Sequence, residues 1–289
     1  MILTLLALAP AIALCIYIFI KDRNEKEPLG LLVLLFFMGI LTIIPSLIFE
    51  LTFEEILNGI FAGKVSFTEE STACVTMTDY LYQFVDAFFG VALIEEFFKW
   101  GAMFWITAKS KHFNSLFDGM VYAVFVSLGF AAVENILYVF ENGLGVAIVR
   151  MLTSVPAHMF FAVFMGFYYS LWNVNKKSEQ YKDYLFAKYN YRDTLTNPFP
   201  TKKLLVLSLT VPVLVHGAYD FLLMTENILC ILVFLVGMIG LYIYCFKKVS
   251  KFSKNDRSDF ELAQVAVFEK YPELAALEQQ DEAANLIVK

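Results

Sequence analysis

YLYQFVDAFFGVALIEEFFKWGAMFWIT, residues 80–107, reads as a membrane helix, yet it carries Glu95, Glu96 and Lys99. A span needs roughly 20 mostly apolar residues to cross about 30 Å of hydrocarbon. An ionisable group at the bilayer centre costs roughly 2.5–3.5 kcal/mol on insertion scales. Two carboxylates and an ammonium in one span therefore need a reason. Glu95 and Lys99 are spaced i, i+4, so they share a helix face and can pair. Glu96 lies about 100° round the helix from Glu95. An ion pair that only locks the helix accounts for Glu95 and Lys99 and leaves Glu96 over.

The rest of the chain supports the membrane reading. Of 289 residues, 59% are hydrophobic and 17% charged, with 30 Phe, and the mean hydropathy is +0.63. A soluble domain has about a quarter of its residues charged. The net charge of -6 is modest and gives no sign of a nucleic-acid partner. The four Cys show no CxxC spacing, so neither a disulfide framework nor a zinc-finger pattern is implied. The first 20 residues lack a positive n-region, and their charges follow the apolar run. This is the reverse of a cleavable signal, so a retained membrane helix is expected.

Seven stretches qualify as spans: about 2–20, 29–53, 80–107, 120–140, 146–172, 203–224 and 227–246. With no water in hydrocarbon the backbone must bond to itself, so all seven are predicted as helices. The fold class is an all-α polytopic bundle, with residues 1–250 as the membrane core and 251–289 as a cytoplasmic tail. Lys and Arg concentrate in alternate loops: 21–26, 109–111, 176–203 and beyond 247. Positive loops stay cytoplasmic, which predicts the N-terminus outside and the C-terminus inside. The loop 54–79, with Glu54, Glu55, Glu69, Glu70 and Asp79, then faces out. FELAQVAVFEKY, residues 260–271, reads as a short amphipathic helix in the tail. It can lie on the membrane or on the core, and a solvated tail without chemistry is the simpler expectation.

Three further spans carry buried polar groups. In AAVENILY (131–138), Glu134 and Tyr138 share a face beside Asn135. In SVPAHMFF (154–161), His158 is central, and Arg150, Ser154 and His158 recur at intervals of four. Pro156 removes a helical hydrogen bond nearby. In VHGAYD (215–220), His216 and Asp220 are i, i+4, where a carboxylate can orient an imidazole. Each alone fits a helix–helix hydrogen bond. Of three His, however, two lie inside spans. Asp118, at a helix start before Gly, reads as a cap or turn. By depth these groups can line one cavity opening to the outside. They suit either proton movement through relay groups or hydrolysis, with a carboxylate on water and imidazoles on the oxyanion or a metal.

EExxK at 95–99, ENxxY at 134–138, PAH at 156–158 and HGxYD at 216–220, in that order on successive spans, resemble the PrsW family of intramembrane proteases. That family is related to the CAAX-protease and Abi group, and the match runs from about residue 28 to 224. Lys99 stands nearer the double Glu than the Arg which that group often uses, and Ser154 rather than Phe precedes His158 by four. Both departures favour the PrsW branch over a CAAX-type prenyl-protein endopeptidase.

The resemblance implies a peptidase in a bacterial cell membrane. Its expected substrate is a membrane-anchored, single-span protein of the anti-sigma factor kind, cut on its extracytoplasmic side in envelope stress signalling. Glu95 or Glu96 is then the general base, with Glu96 preferred because Lys99 can hold Glu95. His158 and His216 polarise the carbonyl or stabilise the oxyanion. Asp220 orients His216, and Glu134 positions water or binds a metal. The metal alternative places Glu96, His158 and His216 on Zn2+, as in open hydrolytic sites with three protein ligands. The rival from another class is a proton-coupled transporter using the same Glu, Lys, His and Asp groups. No repeated halves of the kind many transporters show are visible.

Overall fold

The computed structural model describes residues 2–23, 25–68, 72–192 and 199–287, so Glu69 and Glu70 of the acidic loop lie outside it. Its elements are helices: α1 (Ile2–Lys21), α2 (Leu29–Phe61), α3 (Met77–Val85), a π-helical stretch (Asp86–Ala92), α4 (Leu93–Thr107), α5 (Asp118–Leu152), α6 (Ser154–Lys188), α7 (Thr201–Met224), α8 (Ile228–Lys254), α9 (Asp259–Lys270) and α10 (Pro272–Ile287). The chain is an all-α polytopic membrane protein. Five helical stretches among the described residues are long and apolar enough to cross a membrane: Leu3–Lys21, Leu29–Phe61, Asp118–Lys188, Thr201–Met224 and Ile228–Lys254. The 71-residue stretch holds two of the expected spans, α5 and α6.

Residues 80–107 depart from the simple helix expected of them. They form parts of three elements, of which the longest, α4, has 15 residues. The cause is the π-helical stretch, where the chain widens by an extra residue per turn. Such turns gather at functional sites, and this one ends three residues before Glu95.

The boundary between the fourth and fifth expected spans also moves. Gly143 breaks α5 at φ 79°, ψ -166°, a conformation that a residue with a Cβ resists. Thr153, at φ -120° and ψ -73°, then separates α5 from α6. Arg150 is therefore not on one helical stripe with Ser154 and His158, because the break lies between them. Pro156 falls in the first turn of α6, where its missing N–H has no helical partner to lose. It opens no backbone at His158.

Helix α5 is the hub and packs on α1, α2, α4 and α6. From Met120 to Ala132 it is buried all round. At one end of the bundle the loops are tied together. Leu116 N–H donates to Arg257 O (3.1 Å), Asp259 N–H to Asn114 O (2.9 Å), and Lys176 Nζ to Ala108 O (3.1 Å). Asp118 accepts from the Asn114 and Ser115 amides at 2.9 and 2.7 Å, the turn-capping role expected of it. The tail packs on the core at this end: Val267, Tyr271 and Leu274 bury against Tyr181 and Leu185 of α6. At the other end Cys74 N–H donates to Thr225 O (3.0 Å), and Asn227 Nδ2 donates to the Tyr80 hydroxyl (2.9 Å).

Candidate active site

Four helices deliver the singled-out side chains to one place. Lys99, on α4, is fully buried at 0% exposure. Its ammonium donates to Glu95 Oε2 at 2.9 Å and to Glu96 Oε1 at 2.6 Å. It also stands 3.4 Å from His158 Nδ1 and 4.3 Å from the centre of the Phe130 ring. The expectation that Lys99 would hold Glu95 and spare Glu96 thus gives way to a cation shared by both. The side chain reaches back along its helix, and both i-4 and i-3 lie within its sweep.

His158 sits near the start of α6, and Ser127 Oγ–H donates to its carbonyl at 2.9 Å. Its Nε2 is 2.7 Å from Glu134 Oε2 on α5. Glu134 Oε1 is in turn 2.9 Å from Arg150, whose Nε–H donates to Asn135 Oδ1 at 3.1 Å. The guanidinium lies 3.9 Å from the centre of the Tyr138 ring. His216, on α7, stacks on Phe161 with ring centres 4.5 Å apart. Its Nδ1 is 3.0 Å from Glu96 Oε1, and its Nε2 is 3.1 Å from Asp220 Oδ2, the expected i, i+4 pair. The two imidazole centres are 5.5 Å apart.

These groups enclose a cavity of about 530 Å³. Glu95, Glu134, His158, His216 and Asp220 are in its wall, while Glu96 and Lys99 are not among the lining residues and stand behind Glu95. Glu95 is 5% exposed and Glu96 0%. The wall also holds Glu50 from α2, which sequence reasoning missed. Glu50 lies near the end of the expected second span and reads there as a boundary charge. The signal available was its spacing from Ile43 and Leu47, which face the same cavity at i-7 and i-3.

Gly217 fixes how close α7 comes to the π-helical stretch. A Cβ there would lie 2.5 Å from Phe88 Cδ1. Gly217→Ala is therefore expected to push α7 outward and displace the neighbouring His216. Overpacking of this kind costs about 1–3 kcal/mol, and a 1 Å misplacement at a reacting site can cost about 10²-fold in rate. Turnover of detergent-purified, folded variant checks this. Unchanged turnover would show that His216 tolerates the shift.

A search of known families matches residues 27–246 to the PrsW family intramembrane metalloprotease model. The chain belongs to the PrsW family. Protease PrsW of Oceanobacillus iheyensis is 32% identical over 216 residues, which are 75% of this chain and 80% of that protein. Protease PrsW of Halalkalibacterium halodurans is 30% identical over 251 residues, 87% of this chain and 97% of that one. Protease PrsW of Bacillus subtilis is 31% identical over 216 residues, 75% of this chain and 80% of that one. No solved structure matches. This PrsW-family chain is accordingly a peptidase and a multi-pass bacterial membrane protein.

The family description implies a metal ion, and the donor set can be tested against one. The expected set was Glu96, His158 and His216. The atoms that converge within 4.8 Å of one another instead belong to Glu95, Glu96 and His158. Zinc needs ligands at about 2.0–2.2 Å around a free centre. Here the centre is taken, because Lys99 Nζ contacts one atom of each of the three residues. The remaining imidazole nitrogens face Glu134, Glu96 and Asp220, and Glu96 Oε2 is left as a buried oxygen without a hydrogen-bond partner. In this arrangement the residues do not fit a metal ion.

Proposed function

We propose that this PrsW-family peptidase hydrolyses a peptide bond of a single-span membrane protein at the outer edge of the bilayer, with Glu95 as general base. One observation carries the reading: the cavity wall gathers Glu95, Glu134, His158, His216 and Asp220 from four helices. Of the two adjacent glutamates only Glu95 meets the cavity. Water bound there gives a proton to Glu95 as its oxygen bonds to the carbonyl carbon. The negative charge that develops on the carbonyl oxygen is met by His158 and His216, 5.5 Å apart at their ring centres, whose Nε2–H groups turn to it from Glu134 and Asp220. As the C–N bond breaks, the proton on Glu95 passes to the leaving nitrogen and the carboxylate is restored. Lys99 and Glu96 act behind the wall, and Asp220 and Glu134 orient the two imidazoles.

Conduction is disfavoured by what lies beyond the cavity. Residues 120–132 of α5 and 159–175 of α6 contain no Asp, Glu, Lys, Arg or His, and a proton path needs relay groups across the full thickness. The test is cleavage of a single-span substrate by purified protein in vesicles without an ion gradient. Protein-dependent proton flux with no peptide cut would replace this reading with a transporter. The finer proposal, an anti-sigma factor substrate cut on its extracytoplasmic side, rests on the motif resemblance alone.

The side of entry rests on orientation. The loop charges, and the ties that join one set of loops at each end, support seven crossings with the N-terminus outside. Reporter fusions at residues 65, 112, 190 and 265 should read outside, inside, inside and inside. An inside reading at 65 would reverse the cavity mouth and place cleavage on the cytoplasmic face.

A further inference from the structure

The surroundings of Lys99 form a closed shell. An ammonium has three donors and no acceptor. All three are used: on Glu95 Oε2 (2.9 Å), on Glu96 Oε1 (2.6 Å) and toward His158 Nδ1 (3.4 Å). The fourth side is covered by the Phe130 ring, 4.3 Å from the nitrogen. A catalytic zinc site has the same number of protein ligands but keeps its fourth position open for water. This centre has no open position, and it lies behind Glu95 as seen from the cavity.

We infer that the Lys99 ammonium is a built-in cation occupying the place of a metal ion, and that this chain works without one. The inference deepens the peptidase reading by naming what supplies the fixed positive charge. Three consequences follow from the contacts. Glu95 and Glu96 share the one cation that lies between them. His158 is held with Nδ1 toward Lys99, which leaves Nε2 as the N–H facing Glu134 and the cavity. Water is activated by a carboxylate, since the cation itself never reaches the cavity. Removing the ammonium should then expose two carboxylates and an imidazole around an empty centre, which is a metal site.

The experiment is metal analysis of the full-length protein, purified after growth with added Zn2+. The wild type should carry no stoichiometric metal and should cleave at the same rate before and after chelator. When Co2+ is added to the purified proteins, Lys99→Met should bind it stoichiometrically with visible absorption bands, while Lys99→Arg, which keeps a cation, should bind none. A stoichiometric metal in the wild type would overturn the inference. So would a folded Lys99→Met protein that binds no Co2+. If Lys99→Met does not fold, wild-type metal content and chelator response decide. Absence of cleavage in every sample would sink the peptidase mechanism, while metal content would still decide this inference.

Discussion

Glu95→Gln is expected to abolish cleavage of a single-span substrate in detergent, with the protein still folded. The carboxamide keeps the shape of the side chain and one acceptor for Lys99 Nζ, 2.9 Å away, but it cannot take a proton from water. General-base catalysis contributes about 10²–10⁴-fold, and a loss of that order is predicted for the rate. Glu96→Gln should be less severe, because Glu96 touches Lys99 and His216 rather than the cavity. Adding His158→Ala to Glu95→Gln should cost little more, since groups serving one mechanism are non-additive. A Glu96→Gln protein with no residual rate beside an active Glu95→Gln protein would transfer the base role to Glu96. Losses that multiplied would indicate separate structural roles.

The second large effect is expected at the imidazoles. Removing one donor to a developing oxyanion costs about 10²–10³-fold, and that loss is predicted for His158→Ala and for His216→Ala in kcat. Asp220→Asn should keep more activity than His216→Ala, because Asp220 only faces His216 Nε2, at 3.1 Å. An Asn there keeps the shape of the side chain and an acceptor oxygen but carries no negative charge. Equal losses for Asp220→Asn and His216→Ala would place Asp220 in direct contact with the reacting atoms.

Much of this molecule can be read from its residues alone. Spans follow from apolar length, because hydrocarbon permits no unpaired backbone. Buried Glu, Lys, His and Asp stand out because their insertion is costly. The i, i+4 partners Glu95–Lys99 and His216–Asp220 follow from 3.6 residues per turn, and the structure shows both. The link from Arg150 through Glu134 to His158 was hidden, because it crosses from one helix to another and past the break at Thr153. Glu50 was hidden for a similar reason: a lone carboxylate near a span end looks like a boundary until neighbouring helices close round it.

The adjacent glutamates mark the limit most clearly. Periodicity states that Glu95 and Glu96 point about 100° apart; it cannot state which of them faces the cavity. An extra residue in a π-helical turn rotates everything after it by about that same angle. The stretch Asp86–Ala92 stands directly before them, so a face counted from the start of the span is displaced by one residue. The residues of this segment alone put two carboxylates and a lysine on adjacent turns of one apolar helix. Which carboxylate meets the cavity, and that Lys99 stands between both and His158, was decided by packing against α5, α6 and α7, because helix rotation is set by neighbours and not by the helix's own residues.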